Sequence, residues 1–86
     1  MTHTSLQETL SAVQKIIAEL TGNDLEEVYQ DAQLEEELNI SLTEFIQIVR
    51  QINQQFGVAM RAKDLIEEVD TVLELATAVH DELELG

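Results

Sequence analysis

The strongest constraint on this chain is the spacing of its apolar residues between Ser41 and Gly57. Leu42, Phe45, Ile46, Ile48, Val49, Ile52 and Phe56 recur at three- and four-residue steps, the period of a helix that buries one face. Ser41 and Glu44 make a Ser-x-x-Glu capping box at its start. Gly57 stands where a helix end needs a left-handed residue. A helix beginning at Ser41 is therefore expected.

Three other segments carry the same period. In the first, Leu6, Leu10, Val13, Ile16, Ile17 and Leu20 form one face, while Gln7, Glu8, Gln14, Lys15 and Glu19 take the other. Either Thr4 or Ser5 can cap this segment, and Gly22 in Thr21-Gly22-Asn23-Asp24 ends it. A short third helix from about Ala62 to Glu67 offers Leu65 and Ile66. The last starts at Asp70 or Thr71, with Glu74 completing a box on Thr71, and buries Val72, Leu75, Ala76 and Val79.

Between Asp24 and Ile40 the apolar residues Leu25, Val28, Ala32, Leu34 and Leu38 drift off any single helical face, which predicts a long ordered loop with a short turn. The expected fold is all-α, a small four-helix bundle of three longer helices and one short third helix, with a long first connection. Proline is absent, only three glycines occur, and no repeat or linker divides the chain, so residues 1–86 read as one domain. With 44% apolar residues in 9.7 kDa, there is material for one small core. No cysteine is present to reinforce it, and packing must hold it alone.

Composition excludes several functions. A formal charge of -14 repels phosphate backbones and anionic lipid, so neither nucleic acid nor a membrane surface is an expected partner. The same acidity serves solubility or the steering of basic partners, and composition does not choose between them. No apolar run reaches the roughly 18 to 20 residues of a membrane span, and the first residues lack the pattern of a signal peptide, which predicts a cytoplasmic chain. Asp24 to Glu35 has the outer residues of a calcium loop but places Val28 and Tyr29 where that loop needs an oxygen ligand and glycine.

His3 lies in a tail, and His80, among Asp81, Glu82 and Glu84, reads as a solvated surface residue. No spacing suggests three or four converging metal ligands. The carboxylates of Glu35-Glu36-Glu37 and Glu67-Glu68 point in different directions on a helix and read as solvated. Aromatic residues to line a ligand pocket are few. Neither catalytic nor metal-binding residues are expected, and the chain reads as a non-enzyme.

Over roughly residues 5 to 83 the order of motifs resembles the acyl and peptidyl carrier proteins of fatty-acid, polyketide and nonribosomal peptide synthesis. The resemblance rests on four stretches: Leu20-Thr-Gly with Leu25-Glu-Glu-Val28; Asp31-Ala-Gln-Leu34 leading to Glu37-Leu38; Gln55-Phe-Gly-Val58; and Val69-Asp-Thr-Val-Leu-Glu-Leu-Ala76. It implies a bundle of acyl-carrier-protein type. It also implies a phosphopantetheinyl transferase that attaches 4'-phosphopantetheine covalently to a serine at the start of the second helix, where the terminal thiol holds cargo as a thioester.

The family pattern at that point reads Leu-Gly-x-Asp-Ser-Leu, whereas this chain reads Leu38-Asn-Ile-Ser-Leu42 and lacks the glycine and the aspartate. Laid on the family without a gap from Phe56-Gly57, the chain puts Ile46, Ile48, Val49 and Ile52 on core positions. Leu42 then takes the serine position and Ser41 the aspartate position. Deleting one loop residue aligns Ser41 with the serine but brings Gln47, Gln51 and Gln55 onto core positions, at about 1 to 3 kcal/mol for each unpaired amide. The gapless register is therefore preferred.

Ser41 is the candidate attachment residue in a variant position, with Leu42, Ile46 and Met60 bordering the arm. The outer face of the second helix has Glu44 as its one carboxylate beside Thr43, Gln47, Arg50, Gln51, Asn53, Gln54 and Gln55. Thr43, Gln47, Arg50 and Gln54 are the candidate partner face, closer to polyketide or peptide synthase carriers than to fatty-acid carriers. Expected partners are the transferase and synthase, adenylation or acyltransferase enzymes. With Met1 opening the domain, a discrete, monomeric carrier is expected. The rival expectation is a carrier-like interaction or scaffold protein that never bears the arm.

Overall fold

The computed structural model describes residues 5–85, and His3 and Thr4 lie outside them. The chain runs through α1 (Leu6–Thr21), one 3₁₀ turn (Leu25–Glu27), α2 (Leu42–Phe56), α3 (Ala62–Glu68) and α4 (Val72–Leu85). Among the described residues there is no strand, only an isolated antiparallel bridge between Gln33 and Thr71. The expected four-helix bundle with a short third helix is what forms.

Cap chemistry sets the helix starts. Ser5 and Ser41 each accept the N3 backbone N–H and receive the N3 glutamate in return, and Thr71 does the same with Glu74. At the other ends Gly22 (φ 77°) and Gly57 (φ 69°) take the left-handed conformation that a side chain would strain, and their N–H groups bond Ala18 and Asn53.

α1 packs chiefly on α4 and on α2, and α3 leans on α2. Val13, Ile16 and Ile17 of α1, Ile48, Val49 and Ile52 of α2, and Val72, Leu75, Ala76 and Val79 of α4 form the centre. The connection between α1 and α2 is part of that core. Val28, Ala32, Leu34, Leu38 and Ile40 are all buried. Their drift off one helical face follows from this, since burial there is set by the common core and not by one helical period.

A buried Val or Leu stabilises by about 1.5 to 3 kcal/mol, enough to offset roughly one ordered residue at 1 to 2 kcal/mol of backbone entropy. Hydrogen bonds complete the ordering. Gln14 donates to the Val28 carbonyl at 2.9 Å, Leu34 N–H to Asp70 at 2.8 Å, and Val72 and Leu73 N–H to Ala32 and Gln30.

Some residues lie elsewhere than their spacing suggests. Leu6 and Leu20 sit at the ends of their stripe and are partly exposed, and Leu25 is exposed. His80 is only partly solvated: its side chain is 20% exposed, with Nε2 3.8 Å from the Glu84 carboxylate and Nδ1 buried without a partner. It follows Val79 at the margin of the buried α4 face, three residues before the partly buried Leu83. No helix among the described residues is long and apolar enough to cross a membrane.

Candidate functional site at the start of α2

The turn before α2 is built to deliver Ser41. Glu37 and Leu38 N–H both donate to the Gln33 carbonyl, Asn39 N–H to Glu35 and Ile40 N–H to Leu34, at 3.0 to 3.1 Å. Asn39 leaves this mesh at φ 53°, and no other non-glycine residue described has positive φ. Asparagine is among the few side chains that enter this region at little cost. It occupies the glycine position of the Leu-Gly-x-Asp-Ser-Leu pattern in the gapless register.

Buried Ile40 then anchors the chain, and Ser41 follows in extended conformation (φ -76°, ψ 165°) as the N-cap of α2. Glu44 N–H donates to Ser41 Oγ at 3.1 Å, and Ser41 N–H donates to Glu44 Oε1 at 3.0 Å. Tyr29 braces the turn from outside by donating its hydroxyl to the Glu37 carboxylate, which also accepts Gln33 N–H at 3.0 Å. The Tyr29 bond, then the Gln33 bond, holds the Glu37 carboxyl below its ordinary range. The same bond pushes the Tyr29 phenol up, with desolvation adding to it.

Ser41 and Leu42 are both exposed and border an open groove of about 360 Å³ with Glu35, Asn39, Ile40 and Ile66. A small adjoining pocket of about 60 Å³ is floored by Leu34, Phe45 and Val69 and shares Glu35, Ile40 and Ile66 with the groove. Of the residues singled out by sequence, Ser41 and Leu42 meet here. Ile46 lies one turn along α2, 40% exposed rather than in the core. Met60 lies in a different depression, beside Ala59, Arg61, Asp64, Leu65 and Glu82. Its N–H and carbonyl are both held by the Asn53 side chain at 2.9 Å.

Thr43, Gln47, Arg50 and Gln54 are all exposed. Gln51 and Gln55 are exposed as well, while Ile48, Val49 and Ile52 are buried, which is the pattern of the gapless register. Sequence reasoning did not assign Glu35, Asn39 and Ile66 to the groove. A signal existed for Ile66: Leu65 and Ile66 are adjacent on a helix, so both cannot face the core.

The arrangement suits a phosphate-linked arm. The Ser41 hydroxyl is exposed, its oxygen accepts the Glu44 N–H, and no acceptor among the described residues occupies its hydrogen. It stands at the N-terminus of a long helix, where free N–H groups and the positive end of the dipole favour an anion. Apolar Leu42 and Ile66 flank the groove beyond it.

No curated protein matches the chain. A family model described as a phosphopantetheine attachment site matches residues 11–79, from the second turn of α1 to the middle of α4. Members of such a family are carriers whose cofactor is covalently attached 4'-phosphopantetheine, and they work with a phosphopantetheinyl transferase and with synthase enzymes. Fold, site position and match together place this chain in the phosphopantetheine attachment site family of carrier proteins.

Proposed function

We propose that this protein is an acyl or peptidyl carrier of polyketide or nonribosomal peptide synthesis, with Ser41 bearing the 4'-phosphopantetheine. The observation that carries this is the exposed Ser41 hydroxyl at the head of α2, beside a groove edged by Leu42 and Ile66. When bound, the group supplies a thiol on a flexible arm, to which cargo is tethered as a thioester. The chain's own residues position rather than catalyse: Glu44 fixes the Ser41 backbone, Asn39 and Ile40 set its approach, and Leu42 and Ile66 offer the base of the arm an apolar edge.

Glu35 borders the same groove. It supplies the carboxylate that the absent aspartate provides elsewhere in the family. Thr43, Gln47, Arg50 and Gln54 form the face that synthase, adenylation or acyltransferase enzymes meet. Its lack of carboxylates beyond Glu44 favours polyketide or peptide synthases over a fatty-acid system.

The test is incubation with coenzyme A and several broad-specificity phosphopantetheinyl transferases, followed by intact-mass measurement. A single-arm mass gain that disappears in Ser41→Ala is expected. No gain with any transferase, or a gain that survives the substitution, overturns the assignment. A second reading has one observation in its favour: Leu42, 57% exposed, occupies the first helical position, where the family has its serine. In that reading the protein is a carrier-like scaffold without an arm, and a folded chain that no transferase loads would establish it.

A further inference from the structure

Charge is segregated along this chain to a degree that its net value conceals. From residue 45 to residue 63 there is no Asp or Glu, and the stretch holds Arg50, Arg61 and Lys63, three of the four cations. The remainder carries all eighteen acids with Lys15 alone against them. On α2 the acid-free stretch keeps its own face, whereas Arg61 shares a depression with Asp64 and Glu82 and Lys63 has Asp64, Glu67 and Glu68 beside it on α3. Leu42, Ile46 and Arg50 stand four residues apart on α2, all exposed, and so share one face. Lys63 and Ile66, three apart on α3, are exposed as well, and Ile66 meets Leu42 across the Ser41 groove. The Asn53 side chain grips Met60, tying the link to Arg61 and Lys63 alongside the turn of α2 after Arg50. Arg50, Arg61 and Lys63 make no ion pair among the described residues.

Acids border this face without entering α2 beyond Glu44: Glu35 edges the groove with Leu42 and Ile66, and Asp64, Glu67 and Glu68 are exposed on α3. Asp24, Glu26, Glu27, Asp31, Glu35, Glu36 and Glu37 are all exposed on the connection before α2. A basic partner surface is drawn to that connection and to the acidic outer side of α4, not to Arg50. The molecule measures 36 × 26 × 19 Å, and at physiological ionic strength charges more than about 8 Å apart are largely screened. Local charge therefore decides what docks on α2.

We propose that the surface docking on α2 presents carboxylates opposite Arg50 around an apolar contact with Leu42, Ile46 and Ile66. This rests on α2 being the partner face. The partner is a protein surface with an apolar centre and an acidic rim.

The test maps backbone amide shifts of the isotopically labelled full chain at 0.15 M salt with two amphipathic peptides. These share the same leucines, and one carries glutamates where the other carries lysines. The glutamate peptide is expected to shift Leu42, Ile46, Arg50 and Ile66 and to bind roughly fivefold more weakly to Arg50→Glu. The lysine peptide is expected to shift residues 24–37 instead. If the lysine peptide gathers on α2, or Arg50→Glu binds the glutamate peptide as well as the parent does, the charge assignment fails while α2 remains the partner face. If neither peptide moves the α2 amides, the partner face falls with it. Loading at Ser41 is judged separately, by mass.

Discussion

Ser5-Leu6-Gln7-Glu8 and Ser41-Leu42-Thr43-Glu44 are the same Ser-Leu-x-Glu sequence at the starts of α1 and α2, and they fold alike. In each, serine Oγ accepts the N3 amide at 3.1 Å and the N3 glutamate accepts the serine N–H at 3.0 to 3.1 Å. Both serines are exposed. What separates them is supplied by other elements. Ser41 is preceded by the Asn39 turn and buried Ile40, and Ile66 of α3 faces it across a groove. The outer face of α1 beyond Ser5 opens onto a groove of about 450 Å³ edged largely by polar side chains, among them Gln7, Glu8, Ser11, Lys15 and Glu19. A capped helix start is thus a structural device, and its neighbours make it a site.

The largest expected effect tests that distinction. Ser41→Ala removes the whole mass gain on incubation with coenzyme A and transferase, whereas Ser5→Ala leaves it complete. Loading of Ser5 would show that cap chemistry alone suffices. Restoring the family order with Ser41→Asp and Leu42→Ser comes next. It moves the hydroxyl by about 100° around the axis and 1.5 Å along it, into the position transferases address. Single-turnover loading is expected to quicken on the order of tenfold, or about 1.4 kcal/mol of barrier. A rate no better than the parent's would mean that the cap position serves equally well. Glu35→Gln is expected to slow loading severalfold while Glu36→Gln does not, because Glu35 borders the Ser41 groove and Glu36 does not.

The elements legible in sequence are those whose cause is local. Three capping boxes, two glycine ends and the buried faces of α2 and α4 follow from neighbours within four residues, and each formed where its letters stand. Long-range packing was not legible in that way. Val28, Ala32, Leu34, Leu38 and Ile40 join the common core from outside any helix, so no period within the loop announces their burial. Ile46 has the spacing of a core residue, yet it stays exposed because no element covers that side of α2. Asn39 stands where the family pattern has glycine, and its positive φ is something that only backbone angles reveal. Ser41 and Leu42 were identifiable as the candidate site because they occupy the helix start. Ile66 and Glu35 reach it through folding of the chain.

A smaller effect concerns the caps as structure. Ser41→Ala and Ser5→Ala each remove one side-chain acceptor from an N3 amide, which costs about 1 kcal/mol. For a domain of this size that lowers Tm by about 4 to 8 °C. Similar values for both would confirm that their structural roles match, leaving loading as the distinction. Thermal melts followed by circular dichroism check this, and a Ser41→Ala loss well above that of Ser5→Ala would show that the Asn39 turn unravels with its cap.

The smallest effect is in the pH dependence of stability, and it separates α1 from the turn that feeds α2. Glu8 is held below its ordinary value of 4.5 by the bond from the Ser5 backbone and then by its hydroxyl. Glu37 is held below 4.5 chiefly by Tyr29 and then by Gln33. A carboxylate whose folded pKa is depressed contributes stability that is fully present above the unfolded value and is lost as pH falls through the folded one. Both contributions therefore hold at neutral pH and fade from about 4.5 downward. Tyr29→Phe removes the first cause at Glu37 and leaves Glu8 untouched, so Tm should fall less steeply with acid while the Glu8 titration seen by NMR stays in place. Glu8→Gln should also flatten the acid limb, with the Glu37 titration unchanged. If Tyr29→Phe keeps the parent's acid limb, the phenol does not hold Glu37. The turn before Ser41 would then depend on its backbone mesh and on Ile40 alone.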